Sequence, residues 1–161
     1  MSKSKKLFIA WLLVVLQTML IFSFSMKPAD ISRQQSQAVV ERLEPVLAGM
    51  ESRFAGVRVD REQVHSAVRK GAHGFLYGML AVFWCLALFY TGFLWAAAQK
   101  GAFWASVITG SMDELLQFYI PGRGGQWTDV LVDAAGALLG LMMLGLLKTY
   151  HEKKTKFSIG N

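Results

Sequence analysis

The stretch WTDVLVDAAGALLGLMMLGLL, Trp127–Leu147, decides how the chain is read. Apart from Asp129 and Asp133 it carries no charge, and it is long enough to cross a hydrocarbon core of about 30 Å as a helix. The two aspartates stand four apart and share one helix face. Carboxylates in such a run cost free energy, so they call for a partner or a purpose. Working outward, three more apolar runs follow the same rule. Leu7–Phe24 is charge-free and sits directly after Lys3, Lys5 and Lys6. A second run extends from about Gly71 to Gly92. A third starts near Gly101 and reaches Ile120, where Pro121-Gly122 stops it.

Composition agrees. Of 161 residues 53% are hydrophobic and only 17% charged, with a mean hydropathy of +0.35. A soluble domain has roughly 25% charged residues, so an ordinary soluble enzyme domain and a disordered chain are excluded. The lone Cys85 excludes a disulfide scaffold. The net charge of +6 comes largely from lysines flanking apolar runs, which suits membrane anchoring and not nucleic acid. The first run resembles a signal peptide in its basic start. It is long for one, however, and Phe22-Ser23-Phe24-Ser25-Met26 makes a poor cleavage site, so an uncleaved anchor is expected.

The expected fold class is therefore all-α: an integral membrane bundle of four transmembrane helices with an amphipathic helical extracellular first loop. Residues 1–26 form the anchor, 27–69 the loop, 70–147 a three-helix core and 148–161 a basic tail. Three lysines at the amino end, Lys100 in a short second loop, and Lys148, Lys153, Lys154 and Lys156 fall on one side. The positive-inside rule makes that side cytoplasmic, placing both termini there in a multi-pass cell-membrane protein. In the first loop Val39, Val40, Leu43, Val46, Leu47, Met50 and Phe54 recur at three- and four-residue steps, one face of a helix that Pro45 should bend or interrupt. Such a helix lies on the outer bilayer surface or acts as a lid over a site below. Asp60-Arg-Glu-Gln63 resembles a capping box from which a second helix would run into the next span.

The polar residues within apolar runs fall at one depth. Asp113, Glu114 and Gln117 precede the end of the third run, and Asp113 lies about 10 Å below it at the helical rise of ~1.5 Å per residue. Asp133 is about 9 Å in from Trp127. Lys70, His73 and Tyr77 form an i, i+3, i+7 stripe whose far end lies about 10 Å past Lys70. Three spans thus converge on one layer beneath the outer surface, where Lys70, His73 and Arg123 would offset the four acids. The layer is either a buried ion-pair knot that sets helix register or an outward-facing polar pocket. Gly74 and Gly78, and Gly136 and Gly140, are GxxxG pairs that let helices approach closely. The loop Pro121-Gly-Arg-Gly-Gly-Gln-Trp-Thr128 is either a tight glycine turn or an anion cradle centred on Arg123.

Zinc-site spacing, a Walker loop and a nucleophile elbow are all absent from the sequence. Neither a cofactor nor a metal site is expected. Asp113 and Glu114, being adjacent, should point to different helix faces and pair badly as acid and base. His73 with Asp113 or Glu114 is the candidate dyad for catalysis or proton chemistry.

Taken in order, Arg69-Lys-Gly-Ala-His73-Gly-Phe-Leu-Tyr77, Asp113-Glu-Leu-Leu-Gln117, Pro121-Gly-Arg123 and Asp129-Val-Leu-Val-Asp133-Ala-Ala-Gly136 resemble the VanZ-like family over about half the chain. The amino-terminal span and the Gln-rich start of the first loop are similar to Firmicute members. Asp133 stands where that pattern more often has asparagine. The resemblance implies a membrane protein associated with lowered susceptibility to teicoplanin, a glycopeptide with a fatty acyl chain, and it brings no established catalytic residues. The leading expectation is a non-enzymatic protein that binds an amphiphile at the outer leaflet through Lys70, His73, Tyr77, Asp113, Glu114, Gln117, Arg123, Asp129 and Asp133. Its partners would be membrane lipid and a lipid-linked envelope intermediate or lipoglycopeptide, and a homo-oligomer is compatible with this. The alternatives are an enzyme acting on a lipid headgroup and a small proton-coupled transporter, for which four short spans leave little room.

Overall fold

The computed structural model describes residues 2–54 and 58–159, all helix and connection, with no strand among them. In chain order the helices are α1 (Lys3–Ser25), α2 (Ala29–Arg53), α3 (Arg61–Thr91), α4 (Trp95–Gln117) and α5 (Trp127–Ile159). The all-α expectation holds. Residues 1, 55–57 of the first loop and 160–161 of the basic tail lie outside the described residues.

Local chemistry explains the boundaries. Ser2 caps α1 by accepting from the Lys5 amide, and Asp60 caps α3 by accepting from the Glu62 amide at 2.9 Å. The helix expected at Asp60 does form and is continuous with the second span. Gly92 ends α3 at φ 125°, a conformation open to glycine. The following turn is short, so α4 begins at Trp95 instead of near Gly101. Lys100 consequently lies inside α4, not in a loop. At its other end α4 stops at Gln117, before the expected Ile120, whereas α5 runs on past Leu147 through the basic tail. Pro45 does not divide α2. A proline removes one bond to the carbonyl four residues back, here that of exposed Glu41, and water can satisfy that group.

Paired contacts give the helix directions. Along α3 and α5, Lys70 meets Asp129, His73 meets Asp133, and the Gly74 and Gly78 backbones lie against Gly136 and Gly140. Both numbers rise together, so the two helices are parallel. Helix α1 runs antiparallel to α3. Trp11 packs edge-on against Trp84 and donates to Thr91 at 3.2 Å, Gln17 donates to the Leu76 carbonyl at 2.9 Å, and Ile21 packs with Tyr77 and Leu80. Helix α4 is antiparallel too, with Gly101 beside Leu88 and Gly110 beside Tyr77. Ala81, Cys85, Ala98, Ala102, Ala137 and Leu141 close the core between α3, α4 and α5.

Helices α1, α3 and α5 are long and apolar enough to cross a membrane; α4, at 23 residues, is not apolar enough. The reason lies in its faces. Its buried face is Ala98, Ala102, Ser106, Gly110, Asp113, Glu114 and Gln117, small or polar throughout. Its exposed face is Trp104, Ile108, Met112 and Leu115. Helix α2 shows the opposite economy. Of its apolar face only Val40 is buried, while Val39, Leu43, Val46, Met50 and Phe54 stay exposed. Arg61 fastens it to α3 through Glu44 and Glu51.

The α3–α5 seam is the tightest contact. A Cβ at Gly136 would overlap the Gly74 carbonyl, and one at Gly140 would overlap that of Gly78; at Gly74 the nearest atom would be 3.6 Å away. Glycine to alanine gains up to about 1 kcal/mol of helix propensity, while forced overpacking costs about 1–3 kcal/mol or more. Gly136→Ala and Gly140→Ala should therefore lower the melting temperature in detergent, and Gly74→Ala should leave it unchanged or raise it. Equal behaviour of all three variants would contradict this seam.

A candidate site in the buried polar layer

The layer is built at the end of the bundle where α1 and α4 finish and α5 begins. It collects all nine residues expected from the sequence. On α4, Asp113 is wholly buried: its Oδ2 accepts from the Ser25 hydroxyl at 2.7 Å and faces the Gln117 amide at 3.4 Å. Glu114 is 5% exposed, accepting from Gln117 Nε2 at 3.0 Å and from the Gln126 backbone amide at 2.8 Å. The two neighbours thus both turn inward, against expectation. The end of α4 is enclosed by α1 on one side and by the α4–α5 loop on the other, so each acid meets protein. Gly125 makes this possible, since a Cβ there would press into the Glu114 carbonyl and lie 2.7 Å from the Phe118 ring.

On α5, Asp133 is 1% exposed, and neither of its oxygens has a hydrogen-bond partner. His73 Nδ1 is its nearest cationic group, at 3.8 Å. The Tyr77 hydroxyl, fully buried, also lacks a partner, as do His73 Nδ1 and Asp113 Oδ1. Asp133 and Tyr77 share a wall with Gly110, whose Cβ would lie 3.3 Å from one and 3.5 Å from the other. Nearer the surface Asp129 is approached by Lys70 at 3.5 Å and Arg69 at 3.6 Å.

The charge pairing differs from the expected scheme in two respects. Arg123 does not reach a carboxylate; its Nη1 donates to the Ser25 carbonyl at 2.8 Å. It therefore holds the end of α1 while the Ser25 hydroxyl holds Asp113. Asp133, which the expected dyad of His73 with Asp113 or Glu114 leaves out, is the acid at ion-pair distance from His73. Among the described residues no group of three or more His, Cys, Asp or Glu side chains is placed to hold a metal ion.

A family model described as VanZ/LLP1 matches residues 8–148. The chain belongs to the VanZ/LLP1 family. The match takes in α1 and α2 as well as the motif-bearing core, so the family unit of this VanZ-like protein is the whole bundle. No curated protein and no solved structure matches the chain.

Three groups of the polar layer were not singled out by motif reading, namely Ser25, Gly110 and the Gln126 amide, and Arg69 was read only as the start of a motif. Ser25 had a signal. Ala10, Val14, Gln17, Ile21 and Ser25 are the buried positions of α1, and their three- and four-residue steps mark one inward stripe with two polar members. The Gln126 amide had none, because a backbone group leaves no trace in side-chain pattern.

The Ser25–Asp113 bond should be measurable. A hydrogen bond to a charged group contributes about 1.5–3 kcal/mol. In a double-mutant cycle of Ser25→Ala and Asp113→Ala, unfolded in mixed micelles, a coupling free energy approaching that size is expected. Strict additivity would mean that Ser25 does not hold the acid.

Proposed function

We propose that this VanZ-like protein is a four-span cell-membrane protein, with both termini cytoplasmic, that binds an amphiphile at the outer leaflet. The ligand class is a lipid-linked envelope intermediate or a lipoglycopeptide such as teicoplanin, bound and not chemically altered. One observation carries this reading. Five polar atoms on three helices, His73 Nδ1, Tyr77 Oη, Asp113 Oδ1 and both Asp133 oxygens, are buried with no protein hydrogen-bond partner. A satisfied structural knot would pair them, because each unpaired buried polar group costs about 1–3 kcal/mol. A layer kept unpaired at that cost is better suited to receive a guest than to fasten a scaffold.

Four spans are favoured by the length of α4 along its neighbour. From Gly101 to Gly110 it follows α3 from Leu88 to Tyr77, in the same layer, with an apolar face turned outward. Its inward small residues lower its hydropathy, while its exposed residues from Trp104 to Leu116 are apolar. With α4 counted, Lys3, Lys5, Lys6, Lys100 and Lys153 share one side, which is cytoplasmic by the positive-inside rule. The polar layer then lies under the outer surface, with α2 outside, its exposed apolar face suited to the interface.

Two tests address these statements. Cysteines introduced by Arg58→Cys and Gly124→Cys should react with an impermeant maleimide on intact cells, while Lys153→Cys should react only after permeabilisation. The native Cys85 is buried and adds little background. Labelling of Lys153→Cys with protection of Gly124→Cys would reverse the orientation.

For ligand binding, Glu114→Gln and Tyr77→Phe should abolish protection against a lipoglycopeptide while protein abundance and detergent melting temperature hold. Glutamine retains an acceptor for the Gln126 amide, and neutralising a carboxylate lowers its cost in the bilayer. Protection that survives both changes, or that falls only in step with abundance, would assign the layer to scaffolding.

A further inference from the structure

Above the buried layer, a cavity of about 500 Å³ lies between the amino half of α2, the first turns of α3 and the α4–α5 loop. Its charged and titratable lining is Arg33, Glu62, His65, Arg69 and Arg123, three guanidiniums against a single carboxylate. The guanidiniums are incompletely engaged. Arg33 has no ion-pair partner among the described residues, and Arg69 stands 3.6 Å from Asp129, beyond a good hydrogen bond. Arg123 gives one nitrogen to the Ser25 carbonyl. Burial first, and then the nearby Arg69, disfavour its charged form, so two cations are held close together here. Ser32 and Ser36 add hydroxyls to the wall, and His65 Nδ1 lies 3.3 Å from the Ser36 hydroxyl.

Like charges gathered in a concave site raise its potential and attract a counter-charge. Guanidiniums present planar forks that match phosphate oxygens in pairs, and their charge suits a dianion better than a single carboxylate. We infer that this arginine-lined cavity is a binding site for a phosphate or diphosphate group. The inference rests on the amphiphile reading only for the source of that group, a lipid headgroup. The site is well placed for such a lipid. Helix α2 supplies Arg33 to the cavity and turns Val39, Leu43, Val46 and Met50 outward, as a helix at the bilayer surface would. The cavity is also wired to the layer below. Arg123 holds Ser25, whose hydroxyl holds Asp113, and Arg69 faces Asp129. An anion drawing these arginines upward would loosen both links.

The full chain, purified in dodecyl maltoside, can be titrated with farnesyl diphosphate, farnesol and inorganic diphosphate by calorimetry. Farnesyl diphosphate should bind, farnesol at least roughly tenfold more weakly. Arg33→Gln and Arg123→Gln should each lower diphosphate affinity by roughly tenfold or more, the loss expected for one charge-assisted contact. Lys153→Gln, on the distant tail, should leave it unchanged. Arg33 is exposed, so its variant tests the site even if Arg123→Gln fails to fold. Farnesol binding as tightly as farnesyl diphosphate, or an unchanged affinity in Arg33→Gln, would overturn the phosphate site. Inorganic diphosphate binding as tightly as farnesyl diphosphate would keep the phosphate site and overturn the amphiphile reading instead.

Discussion

The parallel approach of α3 and α5 through four glycines is the constraint on which the rest of the molecule depends. In lipid there is no hydrophobic gain from pressing apolar helices together, so close backbone packing supplies much of the attraction. Gly136 and Gly140 admit the carbonyls of Gly74 and Gly78 where any side chain would collide. That contact has a fixed register. Toward the amino ends of the same two helices, His73 lies beside Asp133 and Lys70 beside Asp129. The seam and the polar layer are consequently one object. A slip of either helix would part Asp129 from Lys70 and Asp133 from His73.

Around this seam the remaining helices act as walls. Helix α4 brings two acids to the layer and turns an apolar row from Trp104 to Leu115 outward. Helix α1 closes the opposite side, where the Ser25 hydroxyl donates to the buried Asp113 carboxylate. The α4–α5 loop completes the enclosure with a backbone amide on Glu114 and Arg123 on the end of α1. Satisfaction is uneven. Glu114 is bonded at both oxygens, whereas Asp133 is bonded at neither, so the unpaired polarity is concentrated on the α5 side, against Tyr77 and His73.

Helix α2 belongs to a different regime from the bundle. It carries most of its apolar side chains outward, is pinned by Arg61 to two glutamates, and lends Ser32, Arg33, Ser36 and Gln37 to the cavity over the layer. Different faces of this one helix line the cavity and carry the exposed apolar side chains.

Much of this was determined by the sequence by itself. Helical class, the apolar runs, the capping aspartate at 60, the glycine pairs and the depth of the polar residues follow from period, length and cost in lipid, which are local quantities. The residues of the polar layer were legible because polar and charged groups in or beside apolar runs are expensive enough to stand out. The tertiary structure alone decided the direct contacts: Asp133 within 3.8 Å of His73, and the Ser25 carbonyl as the acceptor for Arg123. It decided that adjacent Asp113 and Glu114 both turn inward, since enclosure from two sides overrides their angular separation. It also decided the faces of α4, whose inward alanines, serine and glycine depress hydropathy while its outward residues from Trp104 to Leu116 are apolar. Hydropathy averages around a helix, and only packing tells one side of it from the other.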